Sequence, residues 1–197
     1  MRIIFDVGAY DGLPYLSDAL RDKDLTVYAF EPNISMALKI KSQAPDNYHV
    51  FPVAISSKDG VTPYYENRGS RTNSILPFVE ENANTWMRDT NYDTMLETVS
   101  MTLVPTLKLD TVIDCTGVQH IDFLEVDAQG ADLQVIKSCE KNLNKIKEIM
   151  LEVCDIELYK GCPRSEEVIS FMNERGFKVV RAEPSLHYRN IVFYNTR

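Results

Sequence analysis

The sequence predicts an α/β domain of the doubly wound kind, and three observations predict it. The first is the opening run. Apolar Ile3, Ile4 and Phe5 lead into Asp6-Val7-Gly8-Ala9-Tyr10-Asp11-Gly12 and then a helix-like segment from Tyr15 to Asp22, which reads as strand, glycine-bearing turn and helix. The second is the strand Thr26 to Phe30, which ends in Glu31, 19 residues after Gly12. The third is the final pair of strands, Phe177 to Arg181 and Ile191 to Tyr194. Their connection is too short for a parallel crossover, so the last strand is expected to run antiparallel.

Each element then follows in order. A continuous apolar run suits a strand buried on both faces, and a glycine at its exit lets backbone approach a ligand. After Glu31, Pro32 and Asn33 form the entry turn of a helix from Ile34 to Ser42, with apolar Ile34, Ala37 and Leu38 at helical spacing. A third strand, His49 to Val53, exits into Ala54-Ile55-Ser56 and a turn ending at Gly60. Residues 61–105 break the strand-helix rhythm, with Val61 to Glu66 a short extended piece and Arg68 to Ser74 a polar, turn-rich stretch, and are expected to form a lid-like insertion over the site. Within it Tyr64, Tyr65, Trp86 and Tyr92 are candidates either to stack on a sugar or to pack the lid. Met101 to Val104 reads as a strand, and a helical connector begins at Leu107 to Asp110.

The second anchor is the strand Ile121 to Val126, which ends at Asp127-Ala128-Gln129-Gly130 before a helix from Ala131 to Cys139. A strand from Ile146 to Val153 carries Glu152 near its exit. It leads to a turn at Tyr159 to Pro163 and a helix from Ser165 to Arg175, stopped by Gly176. His187 and Asn190 are expected in the loop between the last two strands.

Composition bounds the function. A chain of 197 residues fits one domain, and 44% apolar with 25% charged residues is ordinary for a soluble protein. No apolar run approaches the ~20 residues needed to span a bilayer, and Met1-Arg2 leads straight into a strand, so a cytoplasmic protein is expected. The net charge of -8 argues against a nucleic-acid or anionic-membrane surface and favours a small or neutral substrate. Cys115, Cys139, Cys154 and Cys162 show neither zinc nor disulfide spacing; Cys139 and Cys154 are expected in the core and Cys162 exposed in a turn.

The ligand follows from the turn chemistry. A dinucleotide site wants three glycines around a pyrophosphate, whereas this turn offers Gly8 and Gly12 led by Asp6. Glu31 at the tip of the second strand is placed to accept the two hydroxyls of an adenosine ribose, and Asp6 suits an ammonium group. Ribose plus ammonium, with little call for phosphate binding, points to S-adenosylmethionine. The rival readings are a nucleotide- or cofactor-binding module without transferase chemistry, or an NAD-linked oxidoreductase.

Taken together, FDVGAYDG (Phe5 to Gly12), YAFEP (Tyr28 to Pro32), VAIS (Val53 to Ser56), TNSIL (Thr72 to Leu76), LDT (Leu109 to Thr111), IDFLEVDAQGAD (Ile121 to Asp132) and LEV (Leu151 to Val153) make the chain resemble the FkbM family of S-adenosylmethionine-dependent methyltransferases. The resemblance implies a Rossmann-like class I methyltransferase fold: a seven-stranded, mostly parallel sheet with its last strand antiparallel and helices on both faces. It also implies O-methylation of a small molecule, often a sugar or polyketide hydroxyl.

Cofactor candidates are Asp6, Gly8, Ala9, Gly12, Glu31, Pro32, Ala54, Ile55, Ser74 and Asp127. Asp127 is a candidate general base or a ligand to the amino-acid end of the cofactor. Glu152 on the neighbouring strand is a second catalytic acid or a structural one. The two acids could instead hold a divalent metal ion, which sequence does not decide. His187 is a further base candidate, and Asn73, Tyr159 and Asn190 are substrate-binding candidates.

Overall fold

The computed structural model describes residues 1–13, 15–90, 94–183 and 187–197; Tyr92 therefore lies outside the described residues. Strand β1 (Arg2–Val7) is buried from Ile3 onward, its apolar Ile3, Ile4, Phe5 and Val7 carrying Asp6 into the interior with them. Helix α1 (Tyr15–Arg21), β2 (Leu25–Phe30), α2 (Ile34–Lys41) and β3 (Tyr48–Phe51) complete a first alternating unit. Asn33 starts α2 by accepting a hydrogen bond from the Met36 amide at 3.1 Å.

Strands β4 (Ala54–Ile55), β5 (Gly60–Asn67) and β6 (Thr98–Leu107), with a short 3-10 helix (Ser70–Thr72) and α3 (Glu80–Thr90), come next. Then follow α4 (Leu109–Thr116), β7 (Ile121–Val126), α5 (Asp132–Lys137), β8 (Ile146–Cys154), α6 (Ser165–Glu174), β9 (Phe177–Ala182) and β10 (Tyr188–Asn195).

Among the described residues the strands form two sheets. The larger has seven strands in the order β3-β2-β1-β7-β8-β10-β9. All neighbours pair in parallel except β10, which runs antiparallel to both β8 and β9. Side chains of β1 alternate between two cores: Ile3, Phe5 and Val7 join a cluster with α4, α5 and α6, while Ile4 joins one with α1 and α2. The two clusters therefore sit on opposite faces of β1, with helices over both. Chain order reverses between β1 and β7, and a crevice opens above the carboxyl ends of strands at such a point.

Residues 61–105 are more regular than the two short extended pieces expected there. They hold regular structure, with β5 and β6 as a long antiparallel pair and β4 alongside β6 in parallel. The sequence shows only Met101 to Val104 of β6 as strand, because β6 is exposed from Thr98 to Leu103 and no two-residue rhythm of burial marks its first residues. Two further boundaries move. Asn190 belongs to β10 rather than to the preceding loop, lying opposite Glu152 and accepting the Glu183 amide at 2.9 Å. Polar Tyr188-Arg189-Asn190 concealed that start. Cys162 is buried, packed with Cys154, Leu158 and Tyr159 rather than exposed. Among the described residues no helix is long and apolar enough to cross a membrane.

Candidate active site

A cleft of about 450 Å³ opens at the carboxyl ends of β1, β2 and β7, a size that suits a small-molecule ligand. Its floor is fixed by backbone. The Gly8 amide donates to the Phe30 carbonyl (2.9 Å) and the Asp127 amide to the Val7 carbonyl (2.9 Å), so the β1 exit is clamped between its two neighbours. Gly8 sits at φ +90°, and a Cβ there would lie 2.0 Å from the Asp127 carbonyl oxygen. Only glycine meets both demands.

Glu31 closes one end. The turn holds Tyr10 at φ +49°, and its amide donates to Glu31 Oε2 at 2.8 Å. The Asn33 amide donates to Oε1 at 2.7 Å. Burial pushes the Glu31 carboxyl up to about 7, the two amides acting against it. Each carboxylate oxygen has a second acceptor position, so a pair of ligand hydroxyls can still be bound.

Asp6 and Glu125 form the middle. Burial raises Asp6 well above the usual carboxylate range, and the charges of Glu125, Asp127, Glu31 and Asp11 raise it further. Burial also raises Glu125, against the pull of the Tyr15 hydroxyl that donates to it.

At the other end Asp127 meets Gln129, whose Nε2 donates both to Asp127 Oδ1 at 2.5 Å and to Glu152 Oε2 at 2.9 Å. Gln129 stands at φ +49°. Tyr159 donates its hydroxyl to Gln129 Oε1 at 2.6 Å, and Ser74 its hydroxyl to the Gln129 carbonyl at 2.7 Å. Burial raises both carboxyls; the charge of Asp127 pushes Glu152 further up, while hydrogen bonds from Gln129 and Glu152 act the other way on Asp127, so a proton shared by the pair favours Glu152. Asp127 opens to the cleft with protein behind it, and Glu152 lies deeper, outside the lining.

The β5 side supplies the roof. Tyr10 and Ser70 share a hydroxyl hydrogen bond of 2.9 Å. Arg71 lies 5.2 Å over the Tyr10 ring and 3.7 Å from Asp11. Asn73 accepts the Asn67 amide at 2.7 Å, which fixes the return of the chain.

Of the residues singled out in the sequence, Asp6, Gly8, Ala9, Glu31 and Pro32 line the cleft, as do Ala54, Ile55, Asn73, Ser74 and Asp127. Five others do not. Gly12 turns the chain into α1 at φ +82°, where a Cβ would press on Ile40 (3.1 Å) and the Tyr48 hydroxyl (3.3 Å). Glu152 and Tyr159 sit behind Gln129, and Tyr159 also donates to the Thr72 carbonyl at 3.1 Å. His187 places Nε2 3.3 Å from Asp89, away from the cleft, and Asn190 is committed to strand pairing.

The sequence reading did not single out Tyr10, Arg71, Glu125 or Gln129, all of which line the cleft. An acid inside a strand, such as Glu125, reads as a solvated position until pairing sets it beside Asp6. Among the described residues no group of three or more His, Cys, Asp or Glu side chains is arranged to hold a metal ion.

The chain is similar to several known proteins. The sequence pattern of the methyltransferase FkbM domain matches residues 6–179. The 2-O-methyltransferase NoeI of Sinorhizobium fredii is 28% identical over 173 residues, covering 81% of this chain and 66% of that protein. The AMB antimetabolite synthetase AmbE of Pseudomonas aeruginosa is 26% identical over 167 residues, covering 83% of this chain and 7% of that one. The chain thus spans just under two thirds of one relative and a small part of the other.

Among solved structures, TrmK of M. capricolum in complex with S-adenosylhomocysteine aligns over 100% of this chain and 63% of its own, with a TM-score of 0.51 at 7% identity. The N-terminal domain of EvdMO1 with S-adenosylhomocysteine bound aligns over 100% and 75%, with a TM-score of 0.51 at 9% identity. At such identities the likeness is one of fold.

Proposed function

The chain belongs to the FkbM methyltransferase family, and from that premise we propose that it is an S-adenosylmethionine-dependent O-methyltransferase acting on a hydroxyl of a small molecule, a sugar or glycan. The observation that carries this reading is the string of carboxylates Glu31, Asp6, Glu125 and Asp127 along one cleft. Such a string suits a ligand with hydroxyls at one end and positive charge at the other. S-adenosylmethionine would supply an electrophilic methyl group on a sulfonium. Glu31 is the residue to hold the ribose hydroxyls, with Ala54 and Ile55 beside the base. Asp6 and Glu125 are the partners for positive charge.

Asp127 is the general base of this proposal. It faces the cleft, and of this pair Glu152, lying behind it, has the stronger hold on a shared proton. Gln129 holds its orientation. A base that takes a hydroxyl proton contributes on the order of 10²–10⁴ in rate when so positioned. The neutral acceptor accords with the acidic lining, and the name of NoeI, a 2-O-methyltransferase, lends support to oxygen as the acceptor atom. An NAD-linked reading is disfavoured because a pyrophosphate would face five carboxylates, Asp6, Asp11, Glu31, Glu125 and Asp127.

Thermal denaturation with S-adenosylhomocysteine and with NAD tests the cofactor: a rise in melting temperature with the first alone is expected. Mass spectrometry of sugar and glycan acceptors, read for a gain of one methylene, tests the transfer. Asp127→Asn is expected to lower turnover by about 10² or more while S-adenosylhomocysteine still binds. Unchanged turnover in that variant would remove Asp127 from the role.

A further inference from the structure

Charge in the cleft is unbalanced in a specific way. Five carboxylates line it, and among the described residues Arg71 is the one lysine, arginine or histidine that does so. Arg71 is well placed to meet a ligand rather than to serve the fold. Its side chain is 73% exposed, and its 3.7 Å contact with Asp11 is too long for a hydrogen bond. The Tyr10 ring beneath it, at 5.2 Å, holds the guanidinium over the cleft mouth without using its N–H donors. Tyr10 is itself tied to Ser70, the residue before Arg71, so the two sides of the mouth are joined.

We infer that Arg71 anchors the carboxylate of the methionyl end of the cofactor and sets the preference for a donor that carries one. The inference rests on the cofactor reading above. S-adenosylmethionine has two cationic groups and one anionic group, and the cleft offers many anions and one cation. A planar guanidinium matches a carboxylate with two parallel hydrogen bonds. The charge of Arg71 also reaches Asp127, opposing the burial that raises that carboxyl, so its influence extends across the mouth from Asp11 to the end of the cleft assigned to the methyl acceptor.

The test is calorimetric binding of S-adenosylmethionine and of decarboxylated S-adenosylmethionine, which keeps the sulfonium and the amine but lacks the carboxylate. The proteins are the native chain, Arg71→Ala and Arg71→Lys, each shown to melt cooperatively. Arg71→Ala is expected to weaken S-adenosylmethionine about tenfold, with Arg71→Lys between the two. Binding of the decarboxylated ligand is expected to stay within about twofold or to tighten. Equal weakening of both ligands would show that Arg71 only latches the mouth and would overturn the inference, as would no change in either. If the native chain, folded, bound neither ligand, the cofactor reading would fall and this inference with it.

Discussion

Asp6 and Glu125 occupy paired positions on the parallel strands β1 and β7, and both carboxylates face the same cleft. Asp6 is buried and Glu125 half-buried, and burial together with the charge of Glu125 raises the proton affinity of Asp6, which costs stability whenever both are ionised. Removing one charge should therefore stabilise the ligand-free chain. Asp6→Asn is expected to raise the melting temperature by about 2–4 °C, near 1 kcal/mol for a chain of this size. The same variant should lose most of the further rise that S-adenosylhomocysteine produces. Melting curves with and without the ligand check both parts.

Glu31 makes stability depend on pH. Its folded value of about 7 lies above the ordinary 4.5. The stability it contributes is present in full below pH 4.5 and is lost as pH rises through about 7. The span corresponds to about 3 kcal/mol. Melting temperature of the ligand-free chain should fall across that window, and Glu31→Gln should flatten the fall. A slope identical in the variant would contradict the assignment.

Gly8 and Gly60 separate steric contact from backbone preference. Both have positive φ, but a Cβ at Gly8 would strike the Asp127 carbonyl at 2.0 Å while nothing lies within 4 Å at Gly60. Gly60→Ala should cost about 1 kcal/mol in denaturant unfolding, the conformational cost alone. Gly8→Ala should cost about 3 kcal/mol or more, because β1 and β7 cannot both keep their places. Similar losses at the two sites would refute the argument.

Tyr159 lies behind the site rather than in it. Its hydroxyl serves Gln129 and the Thr72 carbonyl, so Tyr159→Phe should lower stability by about 1–3 kcal/mol through the unpaired acceptors left behind. Affinity for S-adenosylhomocysteine should change by less than about twofold, since the ring does not line the cleft. A large loss of affinity with stability intact would instead make Tyr159 a ligand contact.

The frame of the site was readable from residue order. An apolar run ending in Asp6-Val7-Gly8 and a second ending in Phe30-Glu31 place two acids at adjacent strand tips, because a parallel α/β unit brings consecutive strand exits to one edge. The antiparallel last strand was readable too, from the shortness of its connection. The β5 and β6 arm was legible only in part: Val61 to Glu66 and Met101 to Val104 read as extended pieces, but β6, exposed from Thr98 to Leu103, carries no alternation of burial that would show its full length.

Local patterning thus determined where strands end and which carboxylates stand at those ends, because both follow from periodicity within a few residues. Tertiary pairing alone decided that Glu125 stands beside Asp6, that Gln129 joins Asp127 to Glu152, and that Arg71 reaches the mouth of the cleft. Those relationships span from two to more than a hundred positions and depend on register and turn geometry, which residue order does not display.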